Sequence, residues 1–465
     1  MNTLLYLGLG VTLVAIVGLS IWSGTQVKNG TPKNGLGVVA GVIMGTLIGG
    51  SSTIGTAQLA YTYGMSAWWF TLGAGIACLI LALVYAKPLR HSGATTLVGI
   101  IRQEYGNTAG MTVSLLSATG TFINIISQLI SATAVIAVVF PSLGIRSAVA
   151  IAVVFMILYV IFGGTKGTGM VGIVKMLLLY ITIIACGGLV LHLVGGVSAF
   201  TEMVRAIDNP EGIRFFSLFA RGISTDGGAC LSLILGVLTT QTYAQGVLSG
   251  RTDHDGIGGA LLSAFLAPPI GIGGILVGLY MRANAELYPG MVAKTALTTF
   301  VTAHMPPLLA GVILGALFIA VVGTGAGLAL GISTILNNDI VKRVTHRFDD
   351  EKKLGHLGKV WIIAILAAAG FLSCGALGDV ILQFAFMSMG LRGAVVFTPL
   401  LCALWLPGRI HHRYCILSAI AGPMIVFLFG VWKVFPVDSL FIGIATTMLI
   451  MAFGLWQGNK RGIKR

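Results

Sequence analysis

Thirteen apolar segments divide this 465-residue chain, and each is long enough to cross a bilayer. They fall near residues 3–23, 35–64, 66–86, 109–139, 145–163, 167–195, 224–249, 257–281, 306–336, 356–375, 379–406, 413–434 and 438–457. One span needs ~20 mostly apolar residues. Lipid offers no partner for backbone N–H and C=O groups, so such segments must satisfy their hydrogen bonds internally, as helices. The chain is 56% apolar and 9% charged, where a soluble domain is roughly 25% charged. That excludes a soluble globular enzyme. The expected fold is an all-α membrane protein of about thirteen transmembrane helices, with residues 1–465 forming one transmembrane domain.

The formal charge of +14 raises the question of an anionic partner. Position answers it, because the 28 Lys and Arg lie mostly in short loops, where cytoplasmic enrichment is the rule. With an outside N-terminus, one face collects nineteen basic residues: Lys28, Lys33, Lys87, Arg90, Arg102, Lys166, Arg251, Lys342, Arg343, Arg347, Lys352, Lys353, Lys359, Arg409, Arg413, Lys460, Arg461, Lys464 and Arg465. The other face collects seven: Arg146, Arg205, Arg214, Arg221, Arg282, Lys294 and Lys433. The asymmetry predicts a multi-pass protein of the cytoplasmic (inner) membrane with its N-terminus outside and C-terminus inside, and no nucleic-acid partner. Residues 4–21 lack a basic leader and a small-residue cleavage site, so they read as a first span and not a removed signal. The six cysteines stand singly, without metal-ligand spacing, and read as small core residues. Residues 94–105 and about 200–219 have the pattern of short interfacial helices. Trp68 and Trp69 open the third span, where belt anchoring is the expected role.

The second segment is too long and too rich in glycine and hydroxyls for a lipid-facing rod; it runs through Gly45, Ile48, Gly49, Gly50, Ser51, Ser52 and Thr53. Adjacent glycines weaken helix, and irregular backbone at membrane depth survives only inside protein or along a cavity. A broken helix there points to a substrate or ion site; the alternative is a close helix crossing through small residues. A second interruption lies near Thr239, Thr240 and Gln241 in the seventh segment. With the first span set aside, residues 35–195 and 224–406 form two sets of five, each opening on a broken helix. This is the pattern of a five-plus-five inverted repeat with extra helices at both termini.

The chain resembles the sodium/solute symporter family. The likeness rests on GTLIGGSSTIGTAQLAYTYG at residues 45–64 and AVVGTGAGLALGISTILNNDIVKR at residues 320–343, with the helix count, the 94–105 segment and the Gly163–Gly164 turn in agreement. The resemblance implies a LeuT-type fold, alternating access, and uptake of a small organic solute with a coupling cation. It also implies a sodium site made from the carbonyls of Gly45 and Ile48 and from the ninth-span positions Ala320, Gly323 and Thr324. The position usually held by Ser is Gly323, which has no oxygen to offer a hard cation. A second sodium site would need an Asp at the position of Gly172 and hydroxyls at Ala326 and Gly327, and so is expected to be absent.

Two basic residues belong to neither face. Lys175 lies in the sixth span, about one turn beyond Gly172, and an ionisable group there is a functional candidate. Its ammonium can fill the weakened sodium position, as a lysine does in some proton-coupled relatives of the wider superfamily; the alternatives are Na+ coupling through the remaining ligands, Gly45, Ile48, Ala320 and Thr324, and snorkelling to the interface without either consequence. Arg392 lies at the middle of segment 379–406, and every Asp and Glu falls in a loop or near a span end. Either a carboxylate-bearing substrate supplies its counter-charge, or it caps a broken helix because 379–390 and 391–406 are separate pieces. Other candidates for substrate contact are Ser51, Ser52, Thr53, Gln58, Asn124, Gln128, Thr240 and Gln241.

These observations predict a secondary symporter for a small, carboxylate-bearing solute, coupled to H+ or to no ion, with Na+ coupling as the alternative. A channel or a transporter-like sensor is the second alternative, and the chain ends at Arg465 without an expected signalling domain. No catalytic constellation and no cofactor signature is present beyond a Na+ ion.

Overall fold

The computed structural model describes residues 3–26, 34–163, 168–341, 351–375, 380–432 and 436–460. Gly164, Asp349, Asp350, Asp379, Lys28, Lys33, Lys166, Lys342, Arg343, Arg347, Lys433, Arg461, Lys464 and Arg465, on which some expectations rest, lie outside the described residues.

Among the described residues regular structure is helical, with one isolated bridge between Asn34 and Gly250. The helices are α1 (Thr3–Gln26), α2 (Leu36–Leu47), α3 (Thr56–Tyr63), α4 (Trp69–Ile80), α5 (Ala86–His91), α6 (Leu97–Val139), α7 (Ile145–Gly163), α8 (Thr168–Val194), α9 (Val197–Arg205), α10 (Ile223–Thr239), α11 (Gln241–Leu248), α12 (Asp253–Ala283), α13 (Ala296–His304), α14 (Pro307–Ile335), α15 (Glu351–Ser373), α16 (Ile381–Trp405), α17 (His412–Trp432) and α18 (Ser439–Lys460). Nine helical stretches among them are long and apolar enough to cross a membrane, ten with the bent pair α10–α11. Shorter apolar helices lie in α1, α2 and α7. Helix therefore occupies all thirteen predicted segments, in a multi-pass membrane protein.

Both predicted breaks are present. α2 ends where Ile48 turns to extended backbone (φ −82°, ψ 108°), and after Gly49 and Gly50 the chain resumes as a π-helical turn, Ser51–Gly55, that leads into α3. Thr240 is extended (φ −91°, ψ 124°), and α10 and α11 meet there at 50°. α6, α14 and α16 are the most deeply buried long helices and pack on one another at the centre, α6 touching both the others. α2 lies against α8 and α12, and α10 against α16 and α4.

Several expectations are refined. The 94–105 segment is a short helix from Leu97, capped by the Thr96 hydroxyl, which accepts from the Gly99 N–H at 2.8 Å. It is set off from the rest of α6 by Gly106, whose φ of 85° only glycine adopts freely. In the 200–219 region helix ends at Arg205, because the Asn209 side chain bonds both the N–H and the C=O of Ile213 and Gly212 turns through φ 66°. Segment 379–406 is one helix from Ile381, so Arg392 is not at a junction between two pieces. The indole N–H groups of Trp68 and Trp69 donate to the carbonyls of Pro268 (2.9 Å) and Leu218 (2.7 Å). α13 was not anticipated, since its apolar run is too short to read as a span. The six cysteines are free thiols.

Candidate functional site

The two breaks and the central helices line a narrow pocket with room for little more than a water-sized molecule. Its walls include Thr46, Leu47, Gly49 and Ser51 from the first break, Asn124 and Gln128 from α6, Thr240 and Tyr243 from the second break, Thr324 and Leu328 from α14, and Met389 and Arg392 from α16, with Phe70 of α4. Among the described residues no acidic side chain lines it.

The first break is held open by side chains. An interrupted helix frees backbone groups that must find partners. The Gly50 N–H donates to Gln128 Oε1 at 3.1 Å, and Gln128 Nε2 donates to Ser51 Oγ at 3.2 Å. Ser51 Oγ also lies 3.0 Å from Ser127 Oγ. The Ser52 and Thr53 hydroxyls turn back to the Gly49 carbonyl, at 3.1 and 2.8 Å, so neither reaches the cavity wall. Gln58 also stays off the wall; its Oε1 receives the Ile381 N–H at 3.0 Å and fixes the start of α16. Gln241 is likewise absent from the cavity: its amide oxygen accepts from the Leu97 N–H at 2.8 Å and its nitrogen donates to the Thr95 carbonyl at 3.4 Å. It ties α11 to the short helix before Gly106.

Lys175 turns inward. Its Nζ donates to the Gly45 carbonyl at 3.1 Å and to Thr324 Oγ1 at 2.6 Å, while the Thr324 hydroxyl donates to the Ala320 carbonyl at 2.9 Å. The ammonium thus lies between the end of α2 and the middle of α14, the two places from which the family's sodium ligands were expected. Snorkelling is set aside by this geometry, because the head group points to backbone inside the bundle. Gly323 has the Tyr159 ring above it, and a Cβ there would meet the Tyr159 hydroxyl at 3.2 Å. At Gly172, where the resemblance would place the Asp of a second sodium site, the packing is tight. A Cβ on Gly172 would meet the Gly41 carbonyl oxygen at 2.9 Å, and one on Gly45 would meet the Gly172 Cα at 2.7 Å. An Asp at 172 would force α8 away from α2.

Arg392 is 2% exposed and faces the cavity. Its Nη1 donates to Thr240 Oγ1 at 2.8 Å, its Nε to the Ser388 carbonyl at 3.3 Å, and its Nη2 to Ser388 Oγ at 3.3 Å. These are neutral partners. Ion pairs elsewhere in the chain include Arg90 and His91 with Asp253, and Arg221 with Asp226. At the edge of the site Phe70 packs on Phe386 in a tilted arrangement at 5.9 Å, and the Arg221 guanidinium lies 5.5 Å over the Phe386 ring. Arg221 is anchored by Asp226, which lies in the first turn of α10, at the span end expected for it, and is fully buried. Ser66 Oγ completes that cluster, donating to Asp226 at 2.7 Å.

The sodium:solute symporter family model matches residues 35–422. The chain belongs to this family. It is 32% identical over 181 residues to the "Uncharacterized symporter YwcA" of Bacillus subtilis (strain 168), a match covering 38% of this chain and 35% of that protein. The chain therefore spans about a third of that relative's length. In structure it is similar to the substrate-bound outward-open state of a Na+-coupled sialic acid symporter, at a TM-score of 0.76 and 18% identity over 98% of both chains. That likeness establishes the LeuT-type fold expected for the family. The family's members are symporters, not enzymes, and among the described residues no cluster of three His, Cys, Asp or Glu is placed to hold a metal ion.

Proposed function

We propose that this protein is a secondary symporter of the cytoplasmic membrane, N-terminus outside and C-terminus inside, that takes up a small carboxylate-bearing solute by alternating access and couples it to H+ through Lys175. The observation that carries the reading is the Lys175 ammonium between the Gly45 carbonyl and Thr324 Oγ1. A charged donor on those two oxygens does the work that a bound cation does in a coupled cycle: it ties the broken helix to α14 when present and frees them when the proton leaves. Residues 35–195 and 224–406 act as the two inverted repeats, with the cavity between their broken helices. Arg392 receives the substrate carboxylate, which replaces the neutral Thr240 and Ser388 contacts with a two-pronged charged one. Ser51, Gln128 and Thr240 line the same cavity and complete the binding set; Ser52 and Thr53 support the break from behind.

A second reading is Na+ coupling, with Gly45, Ile48, Ala320 and Thr324 as ligands. The family and the Na+-coupled structural neighbour favour it. Uptake into proteoliposomes with Na+ and proton gradients imposed separately decides between them, once a substrate is found by thermal-shift screening of organic acids. In the proton reading a pH gradient alone drives accumulation, and Lys175→Ala abolishes concentrative uptake. If only Na+ drives accumulation and Lys175→Ala still transports, the sodium reading is correct. A channel or sensor would show no accumulation against a gradient in either condition.

A further inference from the structure

We infer that the cavity is built for a short monocarboxylate without an ammonium group and discriminates against amino-acid zwitterions. This rests on the reading that Arg392 receives the carboxylate. A helix break in a membrane is a natural place to bind an ammonium, because it releases carbonyl oxygens that accept from a cation. In this chain several of those carbonyls already accept a side-chain donor. Gly45 O holds Lys175, Gly49 O holds the hydroxyls of both Ser52 and Thr53, and Gly236 O, one turn before the second break, holds the Thr240 hydroxyl at 2.5 Å. Ala320 O on α14 holds Thr324.

The side chains add no counter-charge. Among the described residues the cavity wall contains no Asp or Glu, and the buried acid closest in sequence to the second break, Asp226, is committed to Arg221 and Ser66. The wall's charged group is Arg392, and Lys175 stands behind Thr324. A zwitterion would bring a second ammonium into a space already positive on two sides, with no carboxylate on the wall to receive it. Leaving a charge unpaired in such a place is costly. A hydroxyl in the same position meets Asn124 and Thr46 as neutral partners, and a methyl or methylene meets Leu47, Leu328 or Met389. The space, with room for little more than a water-sized molecule, favours the shortest chains.

Lactate and alanine have the same carbon skeleton and differ in a hydroxyl against an ammonium, so the pair isolates this term. Binding of lactate, propionate, alanine and the neutral amide lactamide to the purified full-length protein, by thermal shift and by isothermal titration, is the test. Lactate and propionate are expected to bind, with lactate roughly tenfold or more tighter than alanine, the least that an unpaired ammonium would produce. Arg392→Gln should abolish binding of both acids. Alanine binding as well as lactate would overturn the inference and leave the carboxylate reading standing. Lactamide binding as well as lactate would overturn both. No binding by any of the four overturns the assignment of a short monocarboxylate. A Ser52→Ala, Thr53→Val variant releases the Gly49 carbonyl and should raise the alanine-to-lactate affinity ratio, a gain that loss of stability does not mimic. An unchanged ratio would remove Gly49 O from the argument.

Discussion

Lys175 and Gly323 make one argument between them at the scale of single residues. A serine at 323 would supply an oxygen but must displace the Tyr159 ring, which stands 3.2 Å from where its Cβ would be. The ammonium meanwhile uses the Gly45 carbonyl and the Thr324 hydroxyl, two oxygens a sodium ion would need. Hydrogen bonds to a charged group contribute about 1.5–3 kcal/mol each, so Na+ cannot displace Lys175 cheaply. The expected outcome is that Na+ leaves the melting temperature of the wild type where equal K+ leaves it, while the Lys175→Ala, Gly323→Ser double variant shows a Na+-specific rise. A Na+-specific shift in the wild type would contradict the exchange. The sequence exposed both residues, since a lysine inside a span and a glycine among hydroxyls are conspicuous. It did not expose Tyr159, because nothing in a span's composition says which ring will cover a small residue on another helix.

At the scale of elements, the breaks were legible and their supports were not. Gly49–Gly50 and Thr239–Thr240 announce interruptions by composition alone. The same composition suggested that Ser52, Thr53 and Gln241 reach a ligand, but hydroxyls next to freed carbonyls bond locally, and Gln241 is used to fix Leu97. The position of Asp226 did not reveal its burial either. It falls in the first turn of α10 and yet is fully buried, because the chain turns at Gly222 (φ 99°) and brings Arg221 back over it while Ser66 arrives from the segment before α4. Removing one partner of a buried pair leaves the other uncompensated and costs about 3–5 kcal/mol. Asp226→Asn should therefore lower thermal stability in detergent far more than Asp208→Asn, an acid on the same connecting segment with a more exposed side chain. It should also loosen the contact of Arg221 with Phe386, read as faster proteolysis within residues 206–222. Equal stability of the two variants would mean that the pair contributes nothing net.

For the whole molecule, the helix that precedes the matched family region bears directly on the site. α1 precedes residue 35, yet it packs along α14, the helix that carries Ala320 and Thr324. The contact is close because both sides are small. Gly8 lies against the Leu308 carbonyl and Val312, Gly311 against the Leu5 carbonyl and Leu9, and Gly315 against Thr12. Lipid tails are as apolar as leucine, so two helices gain little from hydrophobicity in a membrane, and close backbone approach supplies the attraction instead. A composition-based reading finds α1 as a span but not this seam, because the glycines that make it also suit a loose, mobile helix. The two faces of α1 provide an internal control: a Cβ at Gly8 has no room, whereas a Cβ at Gly10 meets nothing within 4 Å. Overpacking costs typically about 1–3 kcal/mol, so Gly8→Val should lower the melting temperature and Gly10→Val should leave it near the wild type. If α1 steadies α14 as the contacts require, Gly8→Val should also reduce the uptake rate. Full-rate transport at lowered stability would show that α1 holds the fold together without setting the position of Thr324.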